Sequence, residues 1–395
     1  MPQTDPVIIC SFARTPMGGF QGALSGVSAT ELGAAAVSAA VARAGVAPAA
    51  IDRIYMGCVL PAGLGQAPAR QAALKAGLPQ SVEATTVNKM CGSGMQAAIM
   101  AHEALAAGSV EVIVAGGMES MTNAPFLMTK HRAGARIGHD VIYDHMMLDG
   151  LEDAYTPGKA MGAFAEDAVE LYQFTRQDQD TYALESLSRA KAAIDGGAFA
   201  EEVVPVTVRG RGGEVQVAVD EQPGQARPDK IPGLKPAFRK DGTITAANAS
   251  SISDGAAALV LARQSVAAAQ GLAQEAVLVA TAAHAHEPGM FTTAPVPAIR
   301  KVLDKAGWSV DEVDLFEINE AFAAVTMIAM RDLGIPHDKV NVNGGATALG
   351  HPIGASGARI MATLIAALKH RGKRRGVAAL CIGGGEATAV AIELV

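Results

Sequence analysis

The stretch NKMCGSGMQAA, residues 88 to 98, puts Cys91 between Met90 and Gly92, where an extended run gives way to a helix-like run from Met95 to Leu105. Near a helix N-terminus, unpaired amides and about half a positive charge from the macrodipole favour thiolate over thiol. The expectation is a lowered pKa and an activated nucleophile. The bland alternative is a small apolar side chain fitted to a tight turn. Three further stretches carry reactive types. His351 lies in NGGATALGHPIGASG, Asn319 and Glu320 in FEINEAFA, and Cys381 stands just ahead of three glycines in CIGGGEA. Glycine amides at such a turn are free to point into a cleft. A lone loop histidine is often only a structural hydrogen-bonding residue. Two cysteines, a histidine and an asparagine converging from four loops would instead suit an activated nucleophile with its partners.

The elements that must position them form a repeat. VARAGVAPAAIDRI (Val41–Ile54) matches VLDKAGWSVDEVDL (Val302–Leu315): each reads as a helix ending at Gly, a short connection and a strand. Farther on, Ser93-Gly94 matches Ser356-Gly357, each opening an Ala-rich helix, and Gly116-Gly117 after VEVIVA matches Gly383-Gly384 after VAALCI. Counting Ala44-Gly45 with Ala306-Gly307 and Ile51-Asp52 with Val313-Asp314 in the first segment, four matches in one order at a nearly constant offset indicate two homologous α/β halves. The expected division is an N-terminal half of residues 1–120 with 251–271, an inserted loop domain of 121–250, and a C-terminal half of 272–395. Ligands bind at the carboxyl ends of strands in such sheets, which brings His351 to face Cys91. Within the insertion, Ala163 to Gly196 reads as helix. Lys130, His131, Arg132, Arg136 and His139 form a basic segment, either a solvated loop face or a landing site for a phosphate-bearing ligand.

Composition narrows the class. With 50% hydrophobic and 18% charged residues the chain can bury large cores, and abundant Gly with only 4% aromatics suits helix-on-sheet packing. Cys10, Cys58, Cys91 and Cys381 form no CxxC pair and no zinc-ligand spacing, so neither a disulfide framework nor a metal site is expected, and a reducing cytoplasm is. No apolar run approaches a membrane span and the N-terminus lacks a basic, apolar leader pattern. A net charge of -7 argues against general nucleic-acid binding.

Taken together, SFARTPMGGFQGAL, NKMCGSGMQA, GGMESMTNAP, NASSISDGAAA, NEAFA, GHPIGASGAR and CIGGGEATAVAIE resemble the thiolases over essentially the whole chain, and their short-chain acetyltransferase branch in particular. The resemblance implies an α/β fold of two pseudo-symmetric βαβαβαββ halves in a layered αβαβα arrangement with an inserted loop domain. It implies reversible condensation of two acetyl-CoA into acetoacetyl-CoA and CoA through an acyl-cysteine. In it Cys91 is the nucleophile, His351 activates it, Cys381 moves the α-proton, Asn319 positions a water in one oxyanion hole, and the amides of Cys91 and Gly383 form the other. Ser250, Phe238, Met161, Phe291 and Phe322 match positions that line the pantetheine tunnel and acyl pocket, and Lys130, Arg132 and Arg136 the segment near the CoA phosphates. No cofactor beyond coenzyme A as substrate, no metal, no membrane or nucleic-acid partner and a homotetramer, a dimer of dimers, are implied. Ala160 and Glu386-Ala387 depart from the family's usual residues and bear on chain length; a broader 3-ketoacyl-CoA thiolase is the alternative. A ketoacyl synthase would show two histidines or His and Asn rather than Cys381, and a dithiol redox protein would need a CxxC.

Overall fold

In the computed structural model, which describes residues 5–210 and 212–395, the main strands are β1 Val7–Arg14, β2 Arg53–Gly57, β3 Glu83–Val87, β4 Val112–Ser120, β5 Ser253–Arg263, β6 Ala276–Ala285, β7 Leu315–Ile318, β8 Arg375–Ile382 and β9 Glu386–Leu394. The main helices are α1 Ala29–Ala44, α2 Pro68–Lys75, α3 Ser93–Ala106, α4 Met161–Tyr172, α5 Arg176–Asp195, α6 Pro295–Ala306, α7 Ala323–Leu333 and α8 Ser356–His370. The strands follow one path, β7-β8-β9-β6-β1-β5-β4-β2-β3. The path is a palindrome about the β1–β6 junction. On one side β1, β5 and β4 are antiparallel neighbours and β4, β2 and β3 parallel ones; on the other β6, β9 and β8 are antiparallel and β8 and β7 parallel. Where β3 would have its counterpart, a single parallel bridge joins Phe316 to Val340.

Helices cover this framework in layers. One apolar cluster packs α1 and α2 on the outside of the first half, another packs α6 and α7 on the outside of the second. A third lies between the halves and draws on both α3 and α8. Because α8 is enclosed by sheet on both sides, it is buried from Ser356 through Leu368, which explains an apolar sequence around its whole circumference. Each large side chain buried there, such as Met95, Leu105 or Ile360, contributes about 1.5–3 kcal/mol.

The repeat matches fall on matching structure. Ser28 and Glu31 form a capping box that starts α1, and Gly45 ends it at φ 69°; Gly307 ends α6 at φ 70°. Both are left-handed caps that glycine adopts without a Cβ penalty. One match differs. Gly383 opens a turn with Gly384 and Gly385 at positive φ, whereas Gly116 and Gly117 lie inside β4. They are glycine for closeness: a Cβ would fall 2.2 Å from the Ala257 carbonyl oxygen at Gly116 and 2.0 Å from the Gly354 carbonyl oxygen at Gly117.

The stretch between β4 and β5 adds α4, α5 and the hairpin Val206–Gly210 with Gly213–Val217. The helix expected from Ala163 to Gly196 is two helices. Gln173 turns left-handed at φ 57°, and Thr175 restarts the chain with a capping box to Asp178. Buried Arg14 in β1 anchors this region: its Nε donates to Glu202 at 2.6 Å and its Nη1 and Nη2 to Asp220 at 2.7 and 2.9 Å.

Candidate active site

Cys91 sits on the five-residue loop between β3 and α3. Met90 before it is left-handed at φ 46°, a strained conformation for a side-chain-bearing residue. Ser93 braces that strain: its hydroxyl donates to the Met90 carbonyl at 2.6 Å and accepts the Lys89 amide at 2.9 Å. Gly92 lets the other half approach, since a Cβ there would lie 2.3 Å from Cδ1 of Ile382. The repeat glycines do the same for the helices. A Cβ on Gly357 would meet the Met95 amide nitrogen at 2.3 Å, and one on Gly94 the Ala358 nitrogen at 2.9 Å. The N-termini of α3 and α8 therefore touch, and the loops ahead of them, with Cys91 and His351, are drawn to one place.

The nearby amides of Gly383 and Cys91 favour the Cys91 thiolate. Burial outweighs them and pushes the thiol up, to about 11, with the Glu119 charge adding in the same direction. The depressed pKa expected at a helix start is thus not found, because desolvation of the thiolate exceeds the gain from two amides. Cys381, one residue before the end of β8, lies in an apolar cluster with Phe291, Phe322 and Phe164. Burial raises its thiol well above the usual range, and a charge on Cys91 raises it further, so the two thiols oppose each other's ionisation.

His351 is buried, its amide donating to the Ser251 carbonyl at 3.2 Å. Its Nδ1 lies 2.6 Å from Ser356 Oγ, and that hydroxyl donates to the Pro352 carbonyl at 3.0 Å. A carbonyl only accepts, so the serine proton is spent on it and Ser356 can only accept from the ring. Nδ1 carries the proton, and Nε2 keeps a lone pair. Burial first, and the charge of Arg359 second, lower the imidazole to about 3, so the resting ring is neutral. Asn319, at the end of β7, places Nδ2 3.5 Å from each ring nitrogen, alongside the imidazole.

The lining residues gather on one side. Met161 starts α4 directly after Ala160, and its Sδ would lie 3.4 Å from a Cβ on Gly383. Phe238 and Phe291 both meet Phe322 edge to face, with ring centroids 5.9 and 6.3 Å apart. Phe238 covers Gly162 so closely that a Cβ there would fall 2.4 Å from its ring. Ser250 donates its amide to the Ala321 carbonyl at 2.9 Å, next to Phe322. An open cleft of about 790 Å³ is lined by Ser251, Ile252, Arg227 and Lys230 among others; Cys91 does not line it. Ser251, which lines this cleft, accepts the His351 amide through its carbonyl. Lys130, Arg132 and Arg136 stand apart from it on an exposed loop, where His131 pairs with Asp140 at 2.7 Å.

Four contributors were given no role by the sequence, although Glu320 stood out in FEINEAFA. Glu119, in GGMES, is buried and accepts the amides of Val59 at 3.0 Å, Leu60 at 3.1 Å and Gly354 at 2.8 Å, clamping the His351 loop to the end of β2. Desolvation pushes its carboxyl up to about 7 against those three amides. Glu320, next to Asn319, is tied by Tyr182, Ser186, Asn341 and Thr347. Ser356 was visible only as a repeat partner of Ser93. Lys89 forms an ion pair with Glu386, which joins the Cys91 loop to the strand after the glycine turn and gives the departure at 386 a role.

Comparison with known proteins follows the same lines. The model of the thiolase N-terminal domain matches residues 7–265 and that of the thiolase C-terminal domain residues 272–394. Acetyl-CoA acetyltransferase 2 of Arabidopsis thaliana is 50% identical over 98% of this chain and 97% of its own length. The acetyl-CoA acetyltransferase of Rhizobium meliloti is 48% identical over 98% of both. The crystal structure of the Bacillus anthracis acetyl-CoA acetyltransferase superposes with a TM-score of 0.96 at 42% identity and full coverage of both chains. From its repeated halves to its convergent cysteines, the chain belongs to the thiolase family.

Proposed function

We propose that this thiolase is an acetyl-CoA C-acetyltransferase, joining two acetyl-CoA into acetoacetyl-CoA and CoA, and in reverse cleaving acetoacetyl-CoA with CoA. The observation that carries the reading is that Cys91 lies close to the Gly383 turn and to buried Cys381, while the neutral His351–Asn319 pair stands by the loop ahead of α8, whose N-terminus packs on that of α3. The names of the relatives support acetyl-CoA as substrate.

Nε2 of His351 takes the Cys91 proton as the sulfur attacks the acetyl carbonyl, with the Gly383 and Cys91 amides donating to the oxyanion. The leaving CoA sulfur takes the proton of Cys381 and departs as the thiol. Cys381 is left as thiolate, and burial makes it a strong base, suited to a carbon-bound proton. It removes the α-proton of the second acetyl-CoA, whose enolate oxygen is met by His351 Nε2–H and by Asn319 through water. The enolate carbon attacks the acetyl group, and Cys91 leaves and recovers its proton from His351. One thioester replaces another in the first half, so the intermediate is neither a trap nor a hill. Side chains and amides suffice, and we propose no resident cofactor or metal.

Met161, Phe238, Phe291 and Phe322 would bound the acyl and pantetheine end, with Ser250 beside them. For the CoA phosphates two cationic groups compete: Lys130, Arg132 and Arg136 on the exposed loop, and Arg227 and Lys230 in the cleft. The cleft position favours the second pair. Residues 121–250 would act as an inserted domain for CoA binding and tetramer contacts. Exposed Phe126, Met128, Ile137 and Ile142 in it suit assembly into a homotetramer. No helix among the described residues is long and apolar enough to cross a membrane, and four free cysteines suit a cytoplasmic enzyme.

Ala160 leaves room where the family commonly has a larger residue and favours a second reading, a broader 3-ketoacyl-CoA thiolase. Steady-state thiolysis of 3-ketoacyl-CoA substrates from four to ten carbons separates the two. A kcat/KM highest at four carbons is expected; a steady rise toward ten would replace the acetyltransferase assignment with the broader one.

A further inference from the structure

Arg359 lies inside α8, three residues past Ser356, and is fully buried. The charged groups that face it are Glu317, Glu202, Glu320 and Arg14. Two of the three carboxylates are committed elsewhere. Glu202 accepts from Arg14 Nε at 2.6 Å and Thr363 at 3.2 Å, and Glu320 from Tyr182, Ser186, Asn341 and Thr347. Glu317 is the remaining counter-charge, and its Oε2 stands 3.7 Å from Arg359 Nη1. Neither oxygen of Glu317, nor Nε or Nη1 of Arg359, makes a hydrogen bond, although all are shielded from solvent. Such a pair is poor for stability: burying each ion costs several kcal/mol, and only close, hydrogen-bonded geometry repays it. What the guanidinium does reach is the site. Its Nη2 lies 3.5 Å from Oδ1 of Asn319, and after burial its charge disfavours a proton on His351.

An asparagine amide has two nearly isosteric orientations that exchange oxygen for NH2. A guanidinium only donates, so it selects the orientation with Oδ1 toward α8 and Nδ2 toward His351 and the reacting atoms. We propose that Arg359 is a positioning residue for the condensation: it fixes which way the Asn319 amide faces, and its buried positive charge opposes a second cation at His351 in the resting enzyme. The inference rests on the thiolase mechanism proposed above. It also accounts for keeping a costly arginine in a helix otherwise packed with apolar side chains.

The test is a double-mutant cycle with pH profiles on the full-length enzyme. Arg359→Lys keeps the charge and loses the planar fork; kcat should fall about tenfold with KM for acetyl-CoA changed less than about twofold. In an Asn319→Ala background the same change should cost less than about twofold, because the amide it orients is gone. Arg359→Met removes the charge, so the acidic limb of kcat/KM should move to higher pH, while the limb of Arg359→Lys stays in place. A merely structural role would give additive losses in the cycle and coincident acidic limbs, and either result overturns the proposal. If Arg359→Met does not fold, the Lys cycle decides alone. Wild-type enzyme that fails to acetylate Cys91 from acetyl-CoA would overturn the functional reading itself; active wild type with an additive cycle would overturn only the role of Arg359.

Discussion

Ser356→Ala is the cleanest probe of how the site makes a base. Ser356 Oγ and His351 Nδ1 are 2.6 Å apart, both buried, and among the described residues no other hydrogen-bond acceptor reaches Nδ1. Without the hydroxyl the ring has two choices. It can keep its proton on Nδ1 with no acceptor, which costs about 1–3 kcal/mol for a buried donor, or move it to Nε2 and lose the lone pair that faces the chemistry. Either way the competent tautomer is disfavoured by about that amount. At 1.36 kcal/mol per tenfold, the rate of Cys91 acetylation should fall about 10- to 10²-fold. The assay is a rapid acid quench after mixing enzyme with labelled acetyl-CoA, so that acylation is read before condensation. KM for acetyl-CoA should stay within about twofold, since Ser356 lies behind the ring. A folded variant that acylates within about twofold of wild type would refute the tautomer argument.

The two cysteines should separate the half-reactions. Cys91→Ala should abolish both acetyl-enzyme and condensation, whereas Cys381→Ala should still carry acetyl on Cys91, seen by mass spectrometry, and make no acetoacetyl-CoA; acetyl on Cys381 instead would reverse the assigned roles. Arg227→Ala with Lys230→Ala should raise KM for CoA and weaken its salt dependence while kcat changes little, and the triple change Lys130→Ala, Arg132→Ala, Arg136→Ala should do less. The opposite ranking would move the phosphates to the exposed loop. His351 has a folded value of about 3 against about 6.5 unfolded, so the unfolded chain binds the extra proton and stability is lost as pH falls below about 6.5 toward 3, by about 1.4 kcal/mol per pH unit. Urea midpoints at pH 7 and 5 should therefore drop more for wild type than for His351→Asn; equal drops would show that this histidine is not held neutral.

The fold was legible wherever a repeat doubled the signal. Gly45 and Gly307 end helices in both halves because only a left-handed cap satisfies those termini, and a sequence read twice shows that twice. The break at Gln173 was hidden, because a non-glycine left-handed residue leaves no compositional mark. Two of the reactive types were legible for a similar reason: Cys91 and His351 stand beside Gly92 and Gly350, which close packing requires. Their ionisation was not. A helix start argues for a lowered cysteine pKa, but how much the thiolate loses by desolvation depends on Ile382, Met90 and the opposing half folding over it. Glu119 and Arg359 were equally silent, since a charged residue in a motif does not say whether it will be buried or what it will hold.

The duplicated serines show how the two halves came to differ in use. Ser93 and Ser356 occupy the same place, the first residue of a central-layer helix followed by a glycine that admits the other helix. Each hydroxyl donates to a backbone carbonyl a few residues upstream, Met90 for one and Pro352 for the other. That shared bond leaves each oxygen with lone pairs and no proton to give. In the first half the Lys89 amide takes up the acceptor, and the result is a braced, strained loop that presents a thiol. In the second the acceptor meets His351 Nδ1, and the result is a ring with its lone pair at Nε2. Identical local geometry thus yields a nucleophile support on one side and a base support on the other, because the loop ahead differs in length and places a histidine within reach. The thiol and imidazole then rest uncharged, which suits a site that must accept acyl groups from either direction. A standing thiolate–imidazolium pair would be solvated by its own partners and would have to break that solvation in each turnover. Here the charges form only as the thioester forms, beside amides already aimed at them.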